Sequence, residues 1–319
     1  MRSEADQSQP QTVEDEIAEL ERRLEVAKAR LAATKTAEET LLPLTPCTPI
    51  LQTQSKGNPF PSLFPTSFDT ESVPLGASSH HFLLLLADSA LPLGSFAFSS
   101  GLESYLAHCR RASSFPAFLG LSVSSYASTT LPFVLAAHRN PADLIELDDA
   151  LDAAIICTVG RRASIAQGRA LLSIWDRSFR SALPAGPCAV TAQVLKDFSA
   201  LMRPSASTSS ASHELPPASA HLGPLFGAIS CLLGMTLEQT AYVFMLSHVK
   251  ALLSAAVRAS IFGPYHAQKV LASDSVRHGI DEVVKREWNT KIEDAGQSVP
   301  VMDLWIGRHE MLYSRIFNS

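Results

Sequence analysis

The sequence predicts an all-α protein: a multi-helix, bundle-like domain behind an N-terminal extension that is part helical and part disordered. Three observations lead there. Of 319 residues, 46% are hydrophobic but only 7% are aromatic and 18% charged, with Ala, Leu and Ser carrying much of the chain. That mix suits closely packed helices better than the β-branched and aromatic faces of a sandwich. Apolar residues recur three and four apart, the period of a helix face, and no segment reads convincingly as a strand.

The elements follow in order. Over residues 11–35, Val13, Ile17, Leu20, Leu24, Ala27 and Leu31 alternate four and three apart with Glu and Arg elsewhere, a short coiled-coil-like seam. Three heptads is short for an isolated coiled coil, so this helix either finds a partner or is a solvated, partly helical extension. Residues 42–79 read as a Pro/Ser/Thr-rich linker. Pro43, Pro46, Pro49, Pro59, Pro61, Pro65 and Pro74 break any helix, and disorder is expected. The extension is thus 1–79 and the all-α domain 80–319.

Within the body, a turn at Asp88–Ser95 leads into a helix around 100–109. A helix over 115–138 is expected to be interrupted or kinked at Pro132. Pro141 opens a helix over 141–157, and another over 160–183 ends at Pro184 and Gly186. A shorter helix covers 189–203, and 204–218 reads as a flexible loop. Helices follow over 220–234, 236–262 and 264–288. Gly234 ends the first, Thr236 with Gln239 makes a capping box for the second, and Gly263-Pro264 separates the last two.

Charge and cysteine narrow the function. The net charge of −5 lies within residues 1–78, and the body is balanced, without the basic stripe of a nucleic-acid-binding protein. Five widely spaced Cys without a C-x-x-C exclude a disulfide framework or thiolate metal site and fit a reducing compartment. The N-terminus lacks an apolar signal region, so a cytoplasmic protein is expected. The uncharged runs 112–137 and 215–237 contain Ser, Thr, Pro or His and read as core rather than membrane spans.

No catalytic signature is found. Gly94-Ser95-Phe96-Ala97-Phe98 has the wrong order for a nucleophile elbow, and no phosphate loop occurs. Tyr313 stands where a zinc-protease helix starting at His309-Glu310 needs its second His. His248, alone in an apolar helix, reads as a hydrogen-bonded core residue.

Four segments carry more residue-type constraint than packing demands. Residues 88–103 combine a Pro/Gly turn, two aromatics and Glu103, with Ser99 or Ser100 placed to cap a helix. Residues 161–172 put Arg162, Ala166 and Arg169 on one face, and Gly168, about 1 kcal/mol worse than Ala in a helix, points to close approach of a neighbour. In 237–268, an apolar helix holds Lys250 and Arg258, which need partners when buried. The chain end, Arg308 to Ser319, mixes charge and aromatics like a docking tail.

In this order the four segments resemble the UreF family of urease accessory proteins. The matching stretches are 87–103, Gly168–Leu172, 226–239, Ser254–Arg258, Arg308-His309-Glu310, Tyr313-Ser314-Arg315 and Phe317. The extension and the 204–218 loop depart from the pattern and look like the expanded forms of eukaryotic, fungal members. The resemblance implies an all-α homodimer without catalytic activity, acting as a nickel-insertion chaperone. It implies partnership with a UreD/UreH-like accessory protein, a UreG-like GTPase that it recruits or regulates, and the urease apoprotein. It implies no stably bound cofactor, with nickel handled transiently, and neither a nucleic acid nor a membrane is expected as a partner. It marks as partner-binding candidates Gly94, Phe96, Glu103, Gly168, Arg169, Arg258, Arg308, His309, Glu310, Tyr313, Ser314, Arg315 and Phe317. The alternative is a helical scaffold outside urease biology, with the 11–35 seam as its working part.

Overall fold

The apolar runs of the sequence become long helices in a computed structural model of the chain. It describes Glu21, Arg22, Leu24, Glu25 and Lys28, then residues 75–109, 114–182, 189–202 and 218–318. In chain order the body's helices are α1 (Leu75–Ala87), α2 (Leu102–His108), α3 (Phe115–Arg139), α4 (Leu144–Ala154), α5 (Thr158–Ile174), α6 (Ala189–Leu201), α7 (Leu222–Leu232), α8 (Leu237–Arg258), α9 (Pro264–Leu271), α10 (Asp274–Glu287) and α11 (Pro300–Arg308). No strand occurs among the described residues, so the all-α expectation holds. The chain divides into two units, Met1–Phe68 and Asp69–Ser319. In the first, the five described residues are helical, and Glu25 pairs with Lys28 at 2.9 Å. The rest of the 11–35 helix, the linker before Leu75 and the loop before Ala218 lie outside the described residues.

In the second unit α3 is the hub, with α4, α7, α8 and α10 packed on it. Its buried residues, among them Phe118, Val123, Ala127, Leu131 and Val134, fall on several sides. A helix apolar around most of its circumference belongs in a core. By length and composition α3 and α8 are apolar enough to cross a membrane; most of the apolar window of α3 and about half of that of α8 are buried within the body.

Pro132 does not interrupt α3, which runs through it. An interior proline loses a ladder bond and costs about 3 kcal/mol. Leu131, Phe133, Val134 and Leu135 are all buried beside it. At about 1.5–3 kcal/mol per buried side chain, their packing outweighs that loss. The α7–α3 crossing is tight. A Cβ on Gly227 would lie 2.2 Å from the Val134 carbonyl oxygen, so only glycine fits there.

Several boundaries follow local chemistry. The capping box at α8 is present as expected: Thr236 Oγ1 accepts the Gln239 N–H at 3.1 Å, and Gln239 Oε1 accepts the Thr236 N–H at 3.0 Å. α8 ends at Arg258 rather than 262, where Ser260 takes a left-handed φ of 59°. The expected single helix over 264–288 is two. Ser273 Oγ accepts the Val276 N–H at 3.4 Å and starts α10 afresh. Pro141–Asp143 forms a 3-10 turn before α4, which stops at Ala154 with Ile155 extended. α5 continues through a π turn at Trp175–Phe179. α1 begins at Leu75, inside the segment read as linker.

Candidate functional site

The chain end docks on the turn and helix formed by residues 94–103. Gly94, with a φ of 73°, precedes a 3-10 turn at Ser95–Ala97, and Ser99 Oγ accepts the Glu103 N–H at 3.4 Å as α2 starts. α11 runs close beside this start, with Ile306 Cγ1 3.1 Å from where a Gly101 Cβ would stand. Trp305 packs edge-on against Tyr105 at 4.8 Å between ring centroids. These contacts bring Glu103 under the tail. One carboxylate oxygen accepts the Ile316 N–H at 2.7 Å. The other accepts the Phe317 N–H at 3.3 Å and the His309 Nε2–H at 3.1 Å. His309 is fully buried and its Nδ1 has no partner, so Glu103 holds it alone.

Two further contacts close the clasp. The Asn318 N–H donates to the Ala97 carbonyl at 2.8 Å. Phe317 is buried, and the Arg258 guanidinium lies 4.5 Å from its ring centroid and 6.0 Å from that of Phe96. A cation held over an aromatic face contributes about 0.5–1 kcal/mol where exposed and more when desolvated. Lys250, the other cation of α8, donates to the Ala87 carbonyl. Both found the partners that their helix demanded.

Glu310 is gripped from two sides. Arg162 of α5 donates to one oxygen and Arg315 to the other at 2.9 Å. The Arg162 bond, then that of Arg315, lowers the Glu310 carboxyl below its ordinary range. Arg308, Met311, Tyr313, Ser314 and Ile316 face solvent, Tyr313 completely. The docked tail is therefore fixed on one side and open on the other. Its outward face mixes cation, aromatic and aliphatic groups, a composition enriched in protein interfaces.

Gly168 and Arg169 belong to a different place. A Cβ on Gly168 would lie 2.1 Å from the Ala220 carbonyl oxygen, so the expected close approach is real. The neighbour is the segment entering α7, and Arg169 Nε donates to the Ser219 carbonyl at 3.3 Å. That segment is anchored by Asp148, which sequence reasoning missed. Fully buried, Asp148 accepts the N–H groups of Ser219 at 2.7 Å, Ala220 at 2.9 Å and His221 at 2.6 Å. A signal existed: Leu144, Leu147 and Leu151 form the apolar stripe of α4, and Asp148 lies within it. A carboxylate on an apolar stripe requires buried donors.

One turn on, Asp152 accepts Arg161 through both oxygens, at 2.6 and 2.7 Å, and His221 Nε2–H at 2.7 Å. The Ser164 hydroxyl donates to His221 Nδ1 at 3.0 Å. The Arg161 bonds chiefly, then His221, hold the Asp152 carboxyl down at about 2, from an ordinary 3.8. A depressed carboxyl contributes stability that is complete above its unfolded pKa and lost as pH falls through the folded one. The stability gap between the wild type and Asp152→Asn is therefore expected to be constant above about pH 5 and to shrink as pH falls from 4 to 2. Urea unfolding at stepped pH measures it, and a gap independent of pH would contradict the assignment.

A cavity of about 340 Å³ lies beside α3 and α8. Ser122, Ser125, Tyr126 and Thr129 line it, with His248 and Gln297. His248 Nε2 is 3.0 Å from Ser122 Oγ, and its ring stacks on Tyr126 at 4.1 Å. Burial pushes the imidazole down to about 4, so it is uncharged at neutral pH. Its expected role as a hydrogen-bonded core histidine fits these contacts. Among the described residues no three His, Cys, Asp or Glu side chains converge as a metal site would require.

The body of the chain is similar to known proteins. A family model described as UreF matches residues 109–273. The chain is 36% identical over 241 residues to a Schizosaccharomyces pombe protein named "Uncharacterized urease accessory protein UreF-like", covering 75% of this chain and 97% of that one. It is 32% identical over 238 residues to the Paenarthrobacter aurescens "Urease accessory protein UreF", covering 73% and 95%. It is 30% identical over 240 residues to the Oryza sativa "Urease accessory protein F", covering 73% and 82%. The family model spans more than half of the chain, and the chain belongs to the UreF family.

Proposed function

We propose that this chain is a non-catalytic accessory protein of urease maturation. It joins a UreD/UreH-like protein and a UreG-like GTPase in a cytoplasmic complex, recruits or regulates the GTPase, and assists nickel insertion into the urease apoprotein. It acts as a homodimer and passes nickel on without storing it. Family membership across the body carries this reading. The docked tail supports it. Glu103, Arg258 and Ala97 hold the inner side, while Arg308, Met311 and Tyr313 remain open to a partner.

Deleting residues 308–319 is expected to abolish co-purification with the UreD/UreH-like partner while the helical circular dichroism survives. Unchanged co-purification would remove the tail from the interface. Complementation of a strain lacking its own UreF, scored by urease activity and nickel content, tests the function as a whole. Removing residues 1–78 is expected to leave that complementation largely intact. Its loss would favour a scaffold working through the extension.

A further inference from the structure

α4, α5 and the segment entering α7 set a carboxylate, an imidazole and a hydroxyl in line at the wall of the cavity. A serine inside a helix commonly donates back to the carbonyl one turn earlier. Ser164, in the middle of α5, instead donates across to His221 Nδ1 at 3.0 Å. The Nε2–H of the same ring donates to Asp152 at 2.7 Å. Arg161 binds both oxygens of Asp152, which fixes the carboxylate and keeps it ionised. The carboxylate sets the tautomer, so Nδ1 meets the hydroxyl as a base. The two ring nitrogens exchange the places they hold in the familiar protease triad, but hydroxyl, base and orienting carboxylate are all present. Asp148 occupies the amides of residues 219–221. The next one, Leu222 N–H, donates to Ser164 Oγ at 3.4 Å. A donor thus already stands on the oxygen where negative charge would develop.

Ser164 lines the cavity of about 340 Å³, and His221 and Asp152 do not. Gly160 and Ala163 line it from the same helix with little bulk, and Phe98, Leu222 and Phe226 give it apolar walls. Among its described lining residues there is no Lys or Arg, so nothing there would neutralise an anionic ligand. A short, uncharged molecule suits it.

We propose that Ser164 is a nucleophile that takes a short acyl group from a small, uncharged activated ester. Ser164 Oγ attacks the carbonyl carbon, and its proton passes to His221 Nδ1. The bond from that carbon to the leaving oxygen breaks, and the leaving group departs as an anion. The serine ester remains beside an imidazolium held by Asp152, and the proton leaves by way of Asp152, whose side chain is part exposed. Hydrolysis of the ester would need a water at Nδ1, but His221 is fully buried behind Ser164. The chain is therefore acylated once and does not turn over. This reaction goes beyond the accessory role proposed above and needs none of its partners.

Treating the full chain with p-nitrophenyl acetate tests it. Fast nitrophenolate release is expected to stop at one equivalent per chain, with the acetyl group mapped to Ser164 by mass spectrometry of the peptides. Ser164→Ala, a favourable change for a helix, should lose that equivalent. Asp152→Asn should slow it by about 10²-fold, the size of a general-base contribution. Release unchanged in Ser164→Ala, or an acetyl group on Cys157, which shares the cavity, would overturn Ser164 as the nucleophile. An undiminished rate in folded Asp152→Asn would remove the relay. Release that continues past one equivalent would contradict the stalled ester.

Discussion

Replacing Asp148 with asparagine is expected to lower the unfolding free energy by about 3 kcal/mol. The carboxylate is fully buried and accepts three successive backbone N–H groups from 2.6 to 2.9 Å. Asparagine keeps the shape but turns one acceptor into a donor that faces another N–H. At least one of the three amides is then left without an acceptor, which costs about 1–3 kcal/mol. The charge assistance of the remaining bonds, which makes them about twice as strong as neutral ones, is lost as well. Relief from burying a charge offsets only part of this. The donors converge at the N-terminus of α7, where the helix dipole already favours a negative group. Urea unfolding measures the effect, with Asp149→Asn as the comparison. Asp149 is exposed on the same helix, and its change should stay within about 0.5 kcal/mol. Equal midpoints for the two variants would mean that Asp148 does not hold the entry to α7.

How much of this could be read in advance depends on how local the cause is. The start of α8 was legible because Thr236 and Gln239 lie three apart and satisfy each other. The break before α10 was equally local, since Ser273-Asp274-Ser275 is a good cap, but continuous helical composition masked it. α11 likewise has its signal in Pro300 at the first turn with Asp303 following, in a stretch to which no element is assigned from the sequence. Pro132 shows the opposite limit, because α3 runs through it instead of stopping and the packing of its buried neighbours offsets the local cost. Gly168 was read correctly as a close approach, yet what approaches it is a backbone segment fifty residues away in sequence, which no spacing reveals. The tail residues and Glu103 were named together from family resemblance. That a single carboxylate binds two tail amides and a buried imidazole needed the fold, which joins positions more than 200 apart.

That clasp makes the last prediction. Glu103→Ala removes the acceptor for Ile316, Phe317 and His309 together. His309 is fully buried with Nδ1 already unpartnered, so both its nitrogens would be left without a bond, which costs about 1–3 kcal/mol. The two amides also lose charge-assisted bonds, though near the surface water replaces part of them. Burial of Phe317 and its contact with Arg258 remain, and Glu310 still reaches Arg162 and Arg315. The tail should therefore open more often without leaving altogether. A net loss of about 3 kcal/mol corresponds to hydrogen exchange at the Ile316 and Phe317 amides rising by about 10²-fold. The amides in the middle of α3 should be unchanged. Glu103→Gln, which retains one acceptor oxygen, should fall between. Because Arg308, Met311 and Tyr313 are presented by the docked form, loosening the dock should also weaken retention of the UreD/UreH-like partner, since the competent conformation is then less populated. Tighter retention by Glu103→Ala would reverse that reading. The clasp would then be a restraint that the partner must undo, and Glu103 the group that holds it shut.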